Sequence, residues 1–251
     1  MDKKITTDKI LQCLRQCLGQ TDLVVEEEAY HALVRYVGLL VHWNRAYNLT
    51  SVQDPIEIVR RHILDCLVIL PYIRGTRLLD LGTGAGFPGI ILAITRPDME
   101  CVLLDGNGKK TRFCIQVATE LELPNVEVLR IRAEKYVAEV PFTTITARAF
   151  GSLSVLWNHA ERLLAPDGRL LAMKGTMTGI IKDIANSEEL GKRMPKVASH
   201  AENLSRYADS PENIHFPHSA FISGKSRIVA LSVPCLFAER HLVIVEHTLT
   251  T

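Results

Sequence analysis

A chain of 251 residues has room for one large domain, or for a domain of ordinary size with a smaller appendage. With 47% hydrophobic and 23% charged residues it has the composition of a soluble globular protein, and its longest apolar runs fall short of the ~20 residues a membrane span needs. A formal net charge of +1 neither supports nor excludes a polyanionic partner, since nucleic-acid binders can confine their basic groups to one face.

The opening residues MDKKITTDKI are charged and lead into no apolar core of signal-peptide length, so no export signal is expected. Residues 1 to about 70 read as helical: LQCLRQCL and EEEAYHALVRYVGLLVHWNRAYNL repeat apolar positions three and four apart, with no proline before Pro55. A further helix, IEIVRRHILDCLVILPYI, is expected to begin at the capping pair Asp54-Pro55 and to stop near Pro71. From Arg77 short β-type runs alternate with helical ones. RLLDL precedes a helix from about Pro88 to Thr95, ECVLLD precedes one from about Gly108 to Leu121, and VEVLRI and TTITARA follow. A helix from about Ser152 to Leu164 then leads into GRLLAMKG. Strand, helix, strand in sequence implies parallel strands joined by right-handed crossovers, and therefore an open α/β sheet covered on both faces. The polar stretch 186–226 breaks this alternation, before SRIVALSV and RHLVIVEH, which read as a closing antiparallel hairpin. The six cysteines include no CxxC pair, lie mostly in apolar segments, and are expected as core or surface thiols in a reducing compartment, the cytoplasm. No metal site is expected.

In an open parallel sheet the ligand crevice lies outside the carboxyl ends of the strands, and the first strand-to-helix turn approaches it most closely. That turn here is LLDLGTGAGFPG, in which Gly82, Thr83, Gly84 and Gly86 let the main chain come near a bound group. The glycines do not follow the GxGxxG spacing of a pyrophosphate site. Asp105, closing the second strand run, is a carboxylate able to accept both hydroxyls of a ribose, which suits a nicotinamide dinucleotide and a methyl-donor nucleoside equally. The expected hairpin decides between them, because a dinucleotide fold usually continues with parallel crossovers; it points to the methyltransferase variant.

Seven stretches in the same order, NRAYNLTS, RRHILDC, LLDLGTGAGFPGI, LLDGNGKK, RAFGSL, MKG and ERHLV, resemble the RsmG family, also called GidB, over about residues 30 to 247. The resemblance implies a Rossmann-like class I methyltransferase. Its seven-stranded, mostly parallel sheet would carry an antiparallel C-terminal hairpin and a helical N-terminal extension, divided as 1–73 and 74–251. It also implies S-adenosylmethionine as cofactor and N7 of one guanine in 16S ribosomal RNA as acceptor. Matching the family's motifs, Gly82 and Phe87 fall on cofactor-loop positions and Asp105 on the ribose acid. Ala133 and Glu134 fall on the pair flanking the adenine, and Arg148 on a position at the cofactor and substrate cleft. Where the family commonly has serine after the ribose acid, this chain has Gly106-Asn107.

Guanine N7 bears an unprotonated lone pair, so its methylation needs alignment but no general base. Arg148, after the fourth strand, is the leading residue for positioning substrate. Lys174, Arg240 and His241 at strand ends, Arg60, Arg61 and His62 on the helical extension, and Lys109, Lys110 and Arg112 on the second sheet helix are candidates for RNA phosphate. Asn44, Asn48 and Thr50 are read as helix caps. The partners expected are 16S ribosomal RNA or the small ribosomal subunit, with no membrane, and the chain is expected to be a monomer.

Overall fold

A computed structural model describes residues 3–187, 190, 222–223 and 226–247, and the chain divides into two compact units. The first comprises Met1–Val137 with Val233–Phe237, the second Ala138–Ser232 with Ala238–Thr251.

In the first unit, α1 (Lys3–Leu18) and α2 (Glu27–Tyr47) turn one apolar face inward, burying Ile10, Leu14, Cys17 and Leu18 from one helix and Leu33, Tyr36, Val37 and Leu40 from the other. α2 ends at Asn48, which takes the left-handed conformation at φ 50°. Asn44 closes the turn that follows, accepting from Thr50 N and donating to Thr50 O, both at 2.9 Å. The capping reading therefore holds for Asn48; Asn44 instead ties down the loop after the helix, and the Thr50 hydroxyl meets His62 Nε2 at 2.8 Å. Asp54 caps α3 (Pro55–Ile58) by accepting from Ile56 N and Glu57 N, as its pairing with Pro55 suggests. The expected single helix then departs from regularity: a π-helical turn at Val59–Ile63, spelled VRRHI, separates α3 from α4 (Leu64–Leu67).

The strands of this unit, β1 (Arg77–Leu81), β2 (Glu100–Leu104) and β3 (Val126–Leu129), are parallel, β2 lying between the other two. The connections are α5 (Gly89–Thr95) and α6 (Gly108–Glu120). Gly89 to Ile94 are all buried, which explains why GIILAIT carries no polar face. α6 instead buries Phe113, Cys114 and Val117 and keeps polar residues outside.

In the second unit, β4 (Phe142–Arg148) and β5 (Leu164–Lys174) are parallel and linked by α7 (Leu153–Ala160). β8 (His241–Glu246) runs antiparallel to β5 and to β7 (Ser226–Ala230), giving the expected closing hairpin; the two-residue β6 (Ile222–Ser223) pairs with β7 beyond it. With β6 set aside, the remaining strands are the seven anticipated. Arg169 and Glu246 form an ion pair at 3.0 Å between β5 and β8, buried in both partners. One helix has no counterpart among the expected elements: α8 (Met177–Ala185) buries Met177, Ile180, Ile181 and Ile184 and is capped by Thr176, whose hydroxyl accepts from Gly179 N. Apart from residues 186–187, 190, 222–223 and 226, the polar stretch 186–226 lies outside the described residues.

The cysteine reading needs correction. Cys17 of α1 and Cys235 form a disulfide with Cα atoms 5.9 Å apart, while Cys13, Cys66, Cys101 and Cys114 are buried thiols. Composition favours thiols, but a 218-residue separation is bridged only when the chain returns to the first unit at Val233–Phe237.

Candidate cofactor and substrate site

The site is built where β1 and β2 end. Leu104 O accepts from both Gly82 N (2.8 Å) and Thr83 N (3.1 Å), so the glycine turn is hooked onto the end of the neighbouring strand. Thr83 O then accepts from Gly86 N and Phe87 N, both at 2.9 Å, curling the loop toward α5. Gly84 and Gly86 have φ of +62° and +90°, a region side chains rarely adopt. They differ in surroundings. A Cβ on Gly86 would lie 2.5 Å from Ile90 Cγ1, whereas one on Gly84 would find only Gly82 O, at 3.9 Å. Gly86 is thus forced by packing, and Gly84 keeps open space above the turn.

The loop is braced from within its unit. Tyr36 donates its hydroxyl proton to Ala85 O at 2.5 Å. Phe87 is buried, its ring 5.7 Å from Tyr36 and 4.7 Å from His62. Cys114 of α6 donates to Gly84 O at 3.5 Å. The buried Asp80 of β1 accepts from Gly89 N at 2.8 Å, placing a carboxylate at the first turn of α5. Sequence reasoning misses both Tyr36 and Asp80. Asp80 stands in the LLDLGTGAG run as an acid inside an otherwise apolar strand, and that is the available signal.

Asp105 follows β2 directly. Its Oδ2 accepts from Gly84 N at 3.0 Å and its Oδ1 from Asn107 N at 2.7 Å. Each oxygen takes one backbone proton and retains a second acceptor direction, so the carboxylate is held in place and still able to receive a vicinal diol. The residues thus fit the ribose of an adenosine cofactor beside the open Gly84. Asn107, standing after the glycine where the family has a serine, caps α6 by accepting from Lys109 N and Lys110 N. After β3, Ala133 is buried at the head of a short 3-10 turn, and the neighbouring Glu134 is exposed with Arg132 at 3.9 Å. Gly82, Thr83, Gly84, Gly86, Phe87, Asp105, Ala133 and Glu134 all belong to the first unit.

Among the basic candidates of that unit, Arg60 and Arg61 both pair with Glu57, at 3.2 and 2.9 Å. Arg60 also lowers the Cys13 thiol, only partly offsetting the upward push of burial.

In the second unit Arg148 ends β4, in register with Met173 of β5. Two left-handed residues, Ala149 and Gly151, turn the chain sharply into α7, which Ser152 caps. Lys174 is tied into this turn: its Nζ donates to Gly151 O at 3.0 Å and pairs with Asp183 of α8 at 3.3 Å, while Asp183 also accepts from Leu153 N. His241 lies opposite Lys174 in the β5–β8 register, buried, with Nδ1 at 2.6 Å from Gly175 O. Arg240 donates to Glu239 O, and Glu239 accepts from Met177 N. The structure therefore sets Lys174 and His241 opposite each other at the end of β5, each held by its own partners. Among the described residues no group of His, Cys, Asp and Glu is placed to hold a metal ion, and no helix is long and apolar enough to cross a membrane.

Residues 29–198 match the family described as GidB, rRNA small subunit methyltransferase G. A ribosomal RNA small subunit methyltransferase G from Klebsiella pneumoniae (strain 342) is 39% identical, the alignment covering 94% of this chain and 98% of that one. The protein of the same name from Alkalilimnicola ehrlichii is 47% identical over 68% of this chain and 77% of its own. The fold is also that of the O-methyltransferase TomG from Streptomyces achromogenes, at 14% identity and a TM-score of 0.54 over 93% of this chain and 96% of that one.

Proposed function

The chain belongs to the GidB family of rRNA small subunit methyltransferases G and is an S-adenosylmethionine-dependent methyltransferase of the Rossmann-like class I fold; from that premise we propose that it methylates N7 of one guanine in 16S ribosomal RNA, acting in the cytoplasm. The reading of the acceptor rests on the family; what supports its cofactor half is the Asp105 carboxylate, fixed by Gly84 N and Asn107 N with acceptor capacity left over, next to a turn that keeps space open at Gly84.

S-adenosylmethionine supplies an electrophilic methyl group on a sulfonium centre. Asp105 would receive the ribose hydroxyls of that cofactor, and the Gly82–Phe87 turn would hold its donor end. Ala133 and Glu134 would flank its adenine. Arg148, at the end of β4, positions the acceptor. Lys174 supports it by holding the turn at Gly151 that leads away from Arg148. Arg240 and His241 belong to the same strand-end rim. Guanine N7 presents its lone pair without losing a proton, so these residues have only to orient the base and exclude water. No side chain needs to act as general base.

The test is the pH dependence of single-turnover methyl transfer. A positioning mechanism predicts a rate that is flat between about pH 6 and pH 9, with no limb from a base near neutrality. A rate rising tenfold per pH unit over that range would show that a proton is removed and would overturn the reading.

A further inference from the structure

Around Gly108, at the start of α6, the first unit gathers positive charge that forms no ion pair with a carboxylate among the described residues. Had Gly108 a Cβ, it would lie 2.8 Å from Arg130 Cζ and 2.9 Å from its Nε, so the Arg130 guanidinium covers this residue. Arg112 folds back one turn onto the same residue, its Nε donating to Gly108 O at 3.0 Å. Lys109 and Lys110 follow Gly108 directly. Among the described residues none of these four makes an ion pair, whereas most other arginines of the unit do: Arg15 with Glu27, Arg60 and Arg61 with Glu57, Arg77 with Glu100, Arg96 with Asp98 and Arg132 with Glu134.

Asp105, the acid nearest Gly108 in sequence, forms no ion pair with any of the four; its oxygens take Gly84 N and Asn107 N and keep their second acceptor directions for the ribose. The helix end is not what awaits a ligand, since Asn107 already accepts from Lys109 N and Lys110 N. What remains is two guanidinium groups converging on one glycine with two lysines beside them, an arrangement that like-charge repulsion disfavours unless an anion joins it. Planar guanidinium forks suit phosphate oxygens. We infer that Arg112 and Arg130, with Lys109 and Lys110, form a phosphate clamp that holds the RNA backbone next to the ribose-binding end of the cofactor site. This rests on the RNA-methylation reading above. It adds Arg130 to the patch expected from the sequence and separates that patch from Arg60 and Arg61, which both pair with Glu57.

The test is the double variant Arg112→Gln/Arg130→Gln, measured for binding to small-subunit RNA at several salt concentrations and for binding to S-adenosylmethionine. The clamp predicts RNA affinity reduced by about tenfold or more at 0.1 M salt, and a log–log salt slope shallower by about one to two. S-adenosylmethionine affinity and melting temperature should not change. Arg112→Lys/Arg130→Lys should recover the salt slope but only part of the affinity, because a lysine offers charge without the fork. RNA affinity and slope equal to the parent's would overturn the clamp. So would an equal loss in Lys9→Gln/Lys182→Gln, which removes the same charge elsewhere, or a parallel loss of cofactor affinity. These readouts need no methylated product, so a parent that binds RNA but modifies another atom defeats the N7 assignment and leaves the clamp standing. A parent that binds no RNA defeats the clamp.

Discussion

Gly84 N donates to Asp105 Oδ2 at 3.0 Å, joining the turn after β1 to the residue after β2. This one bond fixes both the shape of the glycine turn and the aim of the carboxylate.

Replacing Asp105 by Ala removes the diol acceptor and leaves Gly84 N and Asn107 N without their partner. Hydrogen bonds to a charged group contribute about 1.5–3 kcal/mol. Calorimetric titration should therefore show S-adenosylmethionine affinity lowered by roughly 10- to 150-fold, with the folded structure retained. An unchanged affinity would remove Asp105 from the cofactor site.

Gly86 and Gly38 should respond to alanine with opposite signs. At Gly86 the new methyl group would meet Ile90 Cγ1 at 2.5 Å with φ at +90°, so Gly86→Ala should cost about 1–3 kcal/mol of stability and loosen the turn. Gly38 sits inside α2, where a Cβ would have nothing within 4 Å, so Gly38→Ala should gain about 0.5–1 kcal/mol from helix propensity. Denaturant melts of both variants read this directly.

The sheet and the cofactor turn were legible because their signals are local. RLLDL followed by four close glycines, and ECVLL followed by Asp105, each state strand, turn and ligand group within a dozen residues. Asp54-Pro55 and Asn48 likewise cap through neighbours in sequence. Longer-range relations were not legible. The Tyr36 contact with Ala85 O spans 49 residues, and the Cys17–Cys235 bond spans 218. α8 is hidden for a different reason: Met177, Ile180, Ile181 and Ile184 have helical spacing, but Gly175 and Gly179 interrupt the run and make Thr176 inconspicuous as a cap. Nor does a hydrophobic pattern reveal which arginines find carboxylates, which is why Arg60 and Arg61 look like Lys109 and Lys110 until folding separates them.

The cysteines give a third prediction. Thiol titration of the native chain should find Cys13, Cys66, Cys101 and Cys114 unreactive, and unfolding without reductant should release four thiols of the six cysteines. Burial, with the Asp80 charge adding to it, pushes Cys101 up to about 12 from an ordinary 9.0. Burial also raises Cys114. Above about pH 9 the unfolded chain gives up thiol protons that the folded chain keeps, so it binds fewer protons and stability must fall as pH rises. The loss should run from about pH 9 to about pH 12, the interval over which Cys101 stays protonated only when folded. Cys101→Ala should shrink that limb in denaturant melts while Cys114 keeps its own share, and an undiminished alkaline loss in the variant would assign it elsewhere.

The most direct test of the whole account is to map the methyl group. The purified chain would be incubated with labelled S-adenosylmethionine and small-subunit RNA or particles from cells lacking its gene, for the parent and for Arg148→Ala. The product would be located by nucleotide and by atom. The account predicts a single N7-methylguanine in 16S ribosomal RNA, lost in Arg148→Ala while cofactor still binds. A methyl group on another base or another atom, or an Arg148→Ala variant as active as the parent, would contradict it.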